Sequence, residues 1–257
     1  MGDFPRVARE TIAPTGPLLV EACGIGPGMR VLDVAAGAGN VALAAARAGA
    51  QVVASDITPE LLDAGSAVAE REGLTLDWIV ADAQSLPFDD GSFDVVTSSF
   101  GAMFASDHAT TARELLRVCR AGGTIGMVNW TPEGWSGRFF ALLAPAMPPA
   151  ALGDQPPVLW GDEAHVRALL GPGCTALTLE RRVVVLDRFD DAEALVAFYR
   201  EHFGPVIAAF DELAGDAPRT RALEEALLRF VRESDLAAPG ERPRWELEYL
   251  LVVGTRA

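Results

Sequence analysis

The chain has 257 residues, half of them apolar and 22% charged, which is an ordinary globular composition and enough for one large α/β domain with insertions. Its net charge is −15, and the longest basic run is only Arg181-Arg182. Because a nucleic-acid-binding face or an anionic membrane surface needs clustered basic residues, we expect neither partner.

The N-terminus and the cysteines favour the reducing cytoplasm. No basic segment precedes an apolar one at the start, so no signal peptide is expected, and no apolar run approaches the ~18 residues that span a bilayer. Position 6 is not Ser or Thr, which excludes the myristoylation motif. Three widely spaced cysteines and three histidines without ligand spacing predict neither a disulfide framework nor a metal site.

Predicted strands and helices alternate in the first half of the chain. Residues 6–22 contain Pro14 and Pro17 and predict one or two short helices. Arg30–Val34 is an apolar run between glycines, which predicts a buried strand. The elements predicted after it are a helix over 40–48 ended by Gly49, a strand over 51–55, a helix over 59–72 capped by Thr58, strands over 76–80 and 93–98, a helix over 110–119 and a strand over 124–129. This alternation predicts a parallel sheet with helices on both faces, in a strand order that the pattern leaves open.

The second half has a different pattern, rich in Pro, Gly and Trp over 131–173. Residues 136–146 and 162–170 are helix-like, and residues 176–185 and 245–253 are β-rich. Between the two β-rich segments, residues 191–236 predict two amphipathic helices. We expect the late strands to complete the sheet with an antiparallel edge. The whole chain, 1–257, is predicted to be one domain with its core over 25–130 and substrate-side insertions over 131–173 and 190–243.

A glycine loop follows the first predicted strand, in Val31-Leu-Asp-Val-Ala-Ala-Gly-Ala-Gly-Asn40. Gly37 and Gly39 allow the backbone to approach a ligand, and the helix N-terminus that follows offers free N–H groups to an anionic group. Gly37-x-Gly39-x-x-Ala42 also matches the dinucleotide fingerprint, and Asp56 follows 17 residues after Gly39, near the position of a ribose-binding acid. A nicotinamide-dependent oxidoreductase is therefore one interpretation, and a tight turn without a ligand is another.

Acidic residues near the strand ends favour a different cofactor. Asp33 lies within the first strand, where a buried carboxylate is costly unless it is paired. It suits a ligand with a cationic amino group, such as the methionine end of S-adenosylmethionine. Asp82-Ala83 follow the third strand, where an acid can meet an adenine amino group, and the segment from Pro87 to Asp94 leads into the fourth.

These segments resemble the motif series of class I S-adenosylmethionine-dependent methyltransferases, in the ubiquinone/menaquinone C-methyltransferase-like bacterial branch. The resemblance covers residues 30–130 and rests on five segments: Val31–Asn40, Asp56, Asp82–Phe88, Ser92–His108 and Leu115–Asn129. Asn129-Trp-Thr-Pro-Glu-Gly134 resembles one bacterial subgroup, and the tail after 135 resembles it loosely. The resemblance implies a doubly wound, mostly parallel seven-stranded α/β sheet of the Rossmann-like methyltransferase fold, with helical insertions forming a lid.

The resemblance also implies a role for each motif residue. Asp33 and the backbone from Ala35 through Gly37 to Gly39 would hold the methionine moiety, at the start of the helix that Asn40 opens. Asp56 would accept hydrogen bonds from both ribose hydroxyls. Ile57 would pack on the adenine, and Asp82 and Ala83 would contact the adenine edge. Ser98 and Ser99, at the end of the fourth strand, would lie near the amino-acid part. The family often has Gly-Cys-Gly or Ala-Cys-Gly where this chain has Ala35-Ala36-Gly37, and Ala is close enough for binding to be retained.

Several of these residues also have a purely structural interpretation. Asp33 can be a satisfied structural carboxylate, Asp56 the cap of the next helix, and Asp82 a loop acid. His108 is the candidate catalytic base, with a solvated imidazole near a helix N-terminus as the alternative. The aromatic residues after the fifth strand either line an apolar substrate pocket or form the core of the insertion: Trp130, Trp135, Phe139 and Trp160.

The predicted function is methyl transfer from S-adenosylmethionine to an apolar or aromatic small molecule, in bacterial secondary metabolism. A general base is needed only if the acceptor loses a proton in the step, and the sequence contains no unmistakable base. Two rivals remain at this point: a methyltransferase-fold cyclase or pericyclase that uses the cofactor without methylating, and the NAD(P)-dependent oxidoreductase. The acceptor atom and the oligomeric state are not predicted.

Overall fold

A computed structural model describes residues 2–147 and 153–257, and its strands form one seven-stranded sheet. The strands are β1 (Arg30–Val34), β2 (Gln51–Asp56), β3 (Asp77–Val80), β4 (Phe93–Ser99), β5 (Cys119–Trp130), β6 (Cys174–Leu186) and β7 (Trp245–Arg256). Their order is β3-β2-β1-β4-β5-β7-β6. The first five strands are parallel, whereas β7 pairs antiparallel with both β5 and β6. The predicted α/β class and the antiparallel edge are confirmed.

The burial of β1 explains why its sequence is continuously apolar. Val31, Leu32 and Val34 have no solvent-exposed surface, because helices cover both faces of the sheet at this central strand. The edge strand β6 instead alternates, and its outward-facing Val183 and Val185 are exposed. One cluster of buried apolar side chains extends from these central strands to Trp245 on β7, so the two halves of the chain share a core.

Ten helices occur in the described ranges. They are α1 (Phe4–Thr11), α2 (Thr15–Ala22), α3 (Asn40–Arg47), α4 (Pro59–Glu72), α5 (His108–Val118), α6 (Trp135–Leu143), α7 (Glu163–Leu170), α8 (Ala192–His202), α9 (Gly204–Glu212) and α10 (Ala217–Glu233). Pro14 separates α1 from α2 as predicted, but Pro17 lies in the first turn of α2, where its missing N–H has no intrahelical partner to lose. No helix of the described ranges is long and apolar enough to cross a membrane.

The second half of the chain departs from its predicted pattern. Three helices rather than two lie between β6 and β7, because Phe203 ends α8 and Asp216 caps α10, its carboxylate accepting the N–H of Arg219 at 3.1 Å. The long stretch predicted over 136–146 is α6 followed by a 3₁₀ turn over Ala144–Ala146.

The strand order places a topological switch point at β1. The chain proceeds from β1 outward to β2 and β3, and then returns to the other side of β1 with β4 and β5. In open α/β sheets, ligands bind in the crevice outside the carboxyl ends of the strands at such a point. The glycine loop after β1 and the loop after β4 meet at this crevice, since a Cβ added at Gly101 would lie 2.1 Å from the carbonyl oxygen of Ala35.

Candidate functional site

A cavity of about 650 Å³ opens at the carboxyl ends of the first four strands, a volume suited to a small-molecule or cofactor site. Each of the four strand ends contributes to its wall, and so do the two N-terminal helices. Its lining includes Asp33, Ala35–Ala38, Asn40, Asp56, Ile57, Ala81–Gln84 and Ser99–Ala102, together with Phe4, Ala8, Arg9, Ile12, Ala13 and Pro17 from the N-terminal region. We call it the cofactor cavity.

The glycines of the loop after β1 have different roles. Gly37 has a φ of +56° and lines the cavity, and no atom lies within 4 Å of where its Cβ would be. Gly39 has a φ of +82°, but its Cβ would meet the Trp78 ring at 2.8 Å, and it does not line the cavity. The expectation that Gly39 approaches a ligand is therefore wrong: its missing Cβ leaves room for the Trp78 ring beside the start of α3. Ala35, at a φ of +53°, adopts a conformation that costs an alanine about 1–2 kcal/mol.

Asp33 is buried and satisfied by the protein, although it borders the cavity. Its Oδ2 accepts the N–H of Ala42 at 3.0 Å, and its Oδ1 accepts the Thr97 hydroxyl at 3.0 Å. Gly39, the N-cap of α3, has no side chain to cap the helix, so Asp33 supplies the missing acceptor from the neighbouring strand. Burial raises the pKa of Asp33 to about 7. The nearby Asp56 carboxylate also raises this pKa, whereas the two hydrogen bonds lower it.

Asp56 connects the ends of β1 and β2. Its Oδ2 accepts the N–H of Gly37 at 2.8 Å, and its Oδ1 accepts the N–H of Thr58 at 2.9 Å. Each carboxylate oxygen has two lone pairs, so both keep one free for a ligand. Ile57, the next residue, lines the cavity with 66% of its surface exposed, which suits the face of an aromatic ligand.

Asp82 and Ala83 lie after β3 on the same side of the cavity. The Asp82 carboxylate accepts the backbone N–H of Gln84 at 2.8 Å and its side-chain amide at 3.2 Å. The Gln84 oxygen in turn accepts the N–H of Asp107 at 3.0 Å, which ties this loop to the start of α5. Gln84 lines the cavity as well, and sequence reasoning did not single it out.

Only one of the two serines at the end of β4 faces the cavity. Ser99 lines it, whereas Ser98 is fully buried with its Oγ accepting the N–H of Ala102 at 3.0 Å. Because adjacent strand residues point to opposite faces, the prediction that both approach the ligand was wrong for Ser98. Phe100 follows with a φ of +56°, and its ring stacks on Trp130 at a centroid distance of 3.8 Å.

The N-terminal helices cover the cavity, a role that sequence reasoning missed. Asn40 holds them in place: its Nδ2 donates to the carbonyl of Ile12 at 3.1 Å and to the Thr15 hydroxyl at 3.2 Å. A Cβ at Gly16 would lie 2.3 Å from the Asn40 carbonyl oxygen, so α2 rests directly on the start of α3. The spacing of Phe4, Val7, Ala8 and Thr11, an i, i+3, i+4, i+7 pattern, is the signal that predicts such a one-faced helix.

A second, smaller space adjoins the cofactor cavity. It has a free volume of about 40 Å³ and is lined mainly by aromatic residues. Of the four aromatic residues predicted after the fifth strand, Trp130, Trp135 and Phe139 line it, while Trp160 is buried elsewhere in the core. Five residues line both spaces: Phe4, Ala8, Ile12, Phe100 and Phe104. We call the second space the aromatic chamber.

His108 is placed away from both spaces. It has no exposed surface, so the alternative of a solvated imidazole is wrong. Its Nδ1 lies 3.0 Å from Nε2 of His165, its ring packs against Trp160, and burial lowers its pKa to about 4. Neither lining includes His108, so the geometry gives no support to it as the catalytic base. The tertiary packing of α7 on α5 causes this burial, which no local pattern at position 108 indicates.

Known proteins share both the motifs and the fold. The family profile described as "Methyltransferase domain" matches residues 32–127. An uncharacterized protein of Mycobacterium tuberculosis is 46% identical over 233 residues, which cover 91% of this chain and 85% of the relative. The demethylmenaquinone methyltransferase of Renibacterium salmoninarum is 44% identical over 114 residues, 44% of this chain and 46% of that protein.

Solved structures have the same architecture at low sequence identity. The YcgJ protein from Bacillus subtilis has a TM-score of 0.62 at 21% identity, over 93% of this chain and 96% of that one. The [4+2]-cyclase SpnF has a TM-score of 0.56 at 19% identity, over 95% of this chain and 82% of that one. The chain belongs to the class I S-adenosylmethionine-dependent methyltransferase family, and its cofactor is S-adenosylmethionine. The oxidoreductase interpretation of the glycine loop was therefore wrong.

Proposed function

We propose that this protein transfers the methyl group of S-adenosylmethionine to an uncharged, apolar or aromatic small molecule. The observation that carries the proposal is the shared wall of the two spaces: a polar cavity at the topological switch point borders a chamber of aromatic side chains. A cofactor in the first and an acceptor in the second would meet along the wall that both spaces share, which includes Phe100 and Phe104.

The polar groups of the cofactor cavity match the parts of the cofactor in order. We assign the ribose hydroxyls to the free lone pairs of Asp56, and the adenine to the exposed face of Ile57 and the edge formed by Asp82 and Ala83. The methionine end is assigned to the wall of Asp33, Ala35, Gly37, Asn40 and Ser99.

The chain's own contribution to the reaction is alignment and the exclusion of water. The bound cofactor supplies an activated methyl group on a sulfonium, so displacement needs an in-line approach rather than a strong nucleophile. The aromatic chamber provides a dry surface on which an acceptor can be held for that approach. No step is assigned to His108, and the acceptor atom, whether carbon, oxygen or nitrogen, stays open.

A second candidate function is suggested by the structural similarity to a [4+2]-cyclase. A chain that binds the cofactor but cyclises its substrate would need the same cavity. The two candidates differ in a simple measurement: a methyltransferase converts S-adenosylmethionine to S-adenosylhomocysteine in proportion to product, and a cyclase turns over with S-adenosylhomocysteine bound. We place either activity in one domain, with the 131–173 and 190–243 insertions on the substrate side, and in the cytoplasm.

Calorimetry with a matched pair of variants tests the cofactor site. S-adenosylmethionine and S-adenosylhomocysteine should bind the wild-type protein with micromolar affinity, and NADH should not bind. Asp56→Ala removes two carboxylate acceptors that point at the cavity and should weaken binding at least about 100-fold. Asp63→Ala, an exposed position on α4 outside the cavity lining, is the control and should bind as wild type does. Equal affinity for both variants would remove Asp56 from the site.

A further inference from the structure

The aromatic chamber has an unusual lining for a space of its size. Its wall consists of aromatic and aliphatic side chains with three hydroxyl-bearing residues, and none of the described residues that line it carries a charge. A negatively charged group placed there would lose its hydration without gaining a partner. The chamber therefore excludes anionic acceptors, and its hydroxyls offer hydrogen bonds to uncharged ones.

Two of the three hydroxyls have no hydrogen-bond partner in the described part of the chain. Thr11 is engaged, since its Oγ1 donates to the carbonyl of Val7 at 2.7 Å. The indole N–H of Trp135 is also engaged, because it donates to the Ser234 hydroxyl at 2.8 Å. Tyr199 on α8 and Ser136 on α6 line the chamber and make no hydrogen bond through their hydroxyls.

Tyr199 is the more informative of the two. The residue is only 5% exposed, and three rings of the chamber lie around it: Trp135 at 6.3 Å, Phe139 at 5.4 Å and Phe203 at 5.2 Å between centroids. The hydroxyl makes no hydrogen bond within the described residues, and it is not one of the fully buried atoms that lack a partner. Its oxygen therefore keeps some accessible surface, and because Tyr199 lines the chamber, a ligand bound there can supply the missing partner. Burial raises the pKa of Tyr199 above its ordinary range, so the phenol stays neutral and can donate a hydrogen bond.

We propose that the Tyr199 hydroxyl selects the acceptor, and that the acceptor is an uncharged aromatic compound with a hydroxyl or carbonyl group that Tyr199 binds. Ser136 is a second, weaker contact for the same group. Stacking between the aromatic walls holds the ring. This inference rests on the proposed function, because it takes the aromatic chamber as the acceptor side of the cofactor cavity.

Acceptor binding requires the chamber to widen, since a free volume of about 40 Å³ holds only a few water molecules. The wall that both spaces share includes Phe4, Ala8 and Ile12 of the N-terminal segment. A displacement of α1 would therefore widen the chamber on the side of the cofactor cavity.

Three compounds with the same ring system test whether Tyr199 selects the acceptor. With S-adenosylhomocysteine bound, we would measure the dissociation constants of 1-naphthol, naphthalene and 1-naphthoate by ligand-observed NMR. We expect 1-naphthol to bind about tenfold more tightly than naphthalene, which is the effect of one satisfied buried hydrogen bond, and 1-naphthoate not to bind. Tyr199→Phe should reduce 1-naphthol to the affinity of naphthalene and leave naphthalene unchanged. Ser136→Ala should produce a smaller loss.

The chain's other tyrosine is the matched control. Tyr249 lies on β7 outside the chamber lining, so Tyr249→Phe should keep the tenfold preference for 1-naphthol. Unchanged 1-naphthol affinity in Tyr199→Phe, equal binding of 1-naphthoate, or no binding of 1-naphthol to the loaded protein would each overturn the inference. Failure of the proposed function would show separately, as turnover of an acceptor without conversion of S-adenosylmethionine to S-adenosylhomocysteine.

Discussion

The cofactor cavity and the aromatic chamber share five residues but are built differently. The cofactor cavity is formed by backbone turns at the ends of parallel strands, and its acidic side chains are held by nearby N–H groups, as Asp56 is by Gly37 and Thr58. The chamber is formed by side chains from elements far apart in the chain, such as Phe4 of α1, Phe139 of α6 and Tyr199 of α8.

This difference bears on how specific each region is for its ligand. The strand-end loops of the cofactor cavity are held by hydrogen bonds such as those of Asp56 to Gly37 and Thr58, so we expect this site to keep one ligand chemistry. A chamber made of side chains on separate helices changes its shape with single substitutions, and ligand specificity follows those changes. The predictions below test whether the two regions can be perturbed separately.

The largest expected effect is on the pH dependence of stability in the cofactor region. Because the pKa of Asp33 is raised to about 7, the folded chain keeps a proton between pH 4 and pH 7 that the unfolded chain has lost. Without cofactor, the free energy of unfolding should therefore fall through this window, by up to about 4 kcal/mol. Asp33→Asn should remove this dependence, since its amide can accept from Ala42 and donate to Thr97. Urea unfolding at several pH values measures it.

At pH 8 the Asp33→Asn protein should therefore be more stable than wild type, yet bind S-adenosylmethionine more weakly if the carboxylate faces the methionine end. A pH profile parallel to that of wild type would show that Asp33 is not the group responsible. Unchanged cofactor affinity would leave it a structural carboxylate only.

The second effect concerns the contact between the two loops of the cofactor cavity. Gly101→Ala places a Cβ 2.1 Å from the carbonyl oxygen of Ala35, which neither backbone can avoid without moving. We expect a loss of about 3 kcal/mol in stability together with weakened cofactor binding. Gly171→Ala is the control, because its Cβ would meet no atom within 4 Å, and it should change stability by less than about 0.5 kcal/mol. Thermal unfolding and calorimetry measure the two quantities, and a wild-type result for Gly101→Ala would refute the close packing of the loops.

The smallest effect on stability is expected for a substitution that changes the chamber and leaves the cofactor cavity unchanged. Phe139 is buried, stacks on Trp135 at 5.0 Å and lines only the chamber. Phe139→Leu should lower stability by about 1 kcal/mol, because it keeps an apolar side chain but loses the ring contact. Its affinity for S-adenosylhomocysteine should stay within about twofold of wild type. A large loss of that affinity would mean that the two regions are coupled.

Local signals predicted the cofactor region closely. The bounds of β1 and α4 agree with the prediction, because glycines flank the first and Thr58-Pro59 opens the second. Within the site, the errors concern side-chain direction and packing. Ser98 turns away from the cavity, and Gly39 is required by Trp78, a residue of β3 that no pattern around Gly39 indicates.

The sequence by itself determined the fold class, the cofactor and the positions of its acidic residues, because each depends on short-range patterns at strand ends. Only the tertiary structure decided the rest: the burial of His108 under Trp160 and His165, the covering of the cavity by α1, and the unpartnered hydroxyl of Tyr199 inside a ring of aromatic residues. These features arise from contacts between residues far apart in the chain, which apolar periodicity constrains only to one face of a helix and not to a particular neighbour.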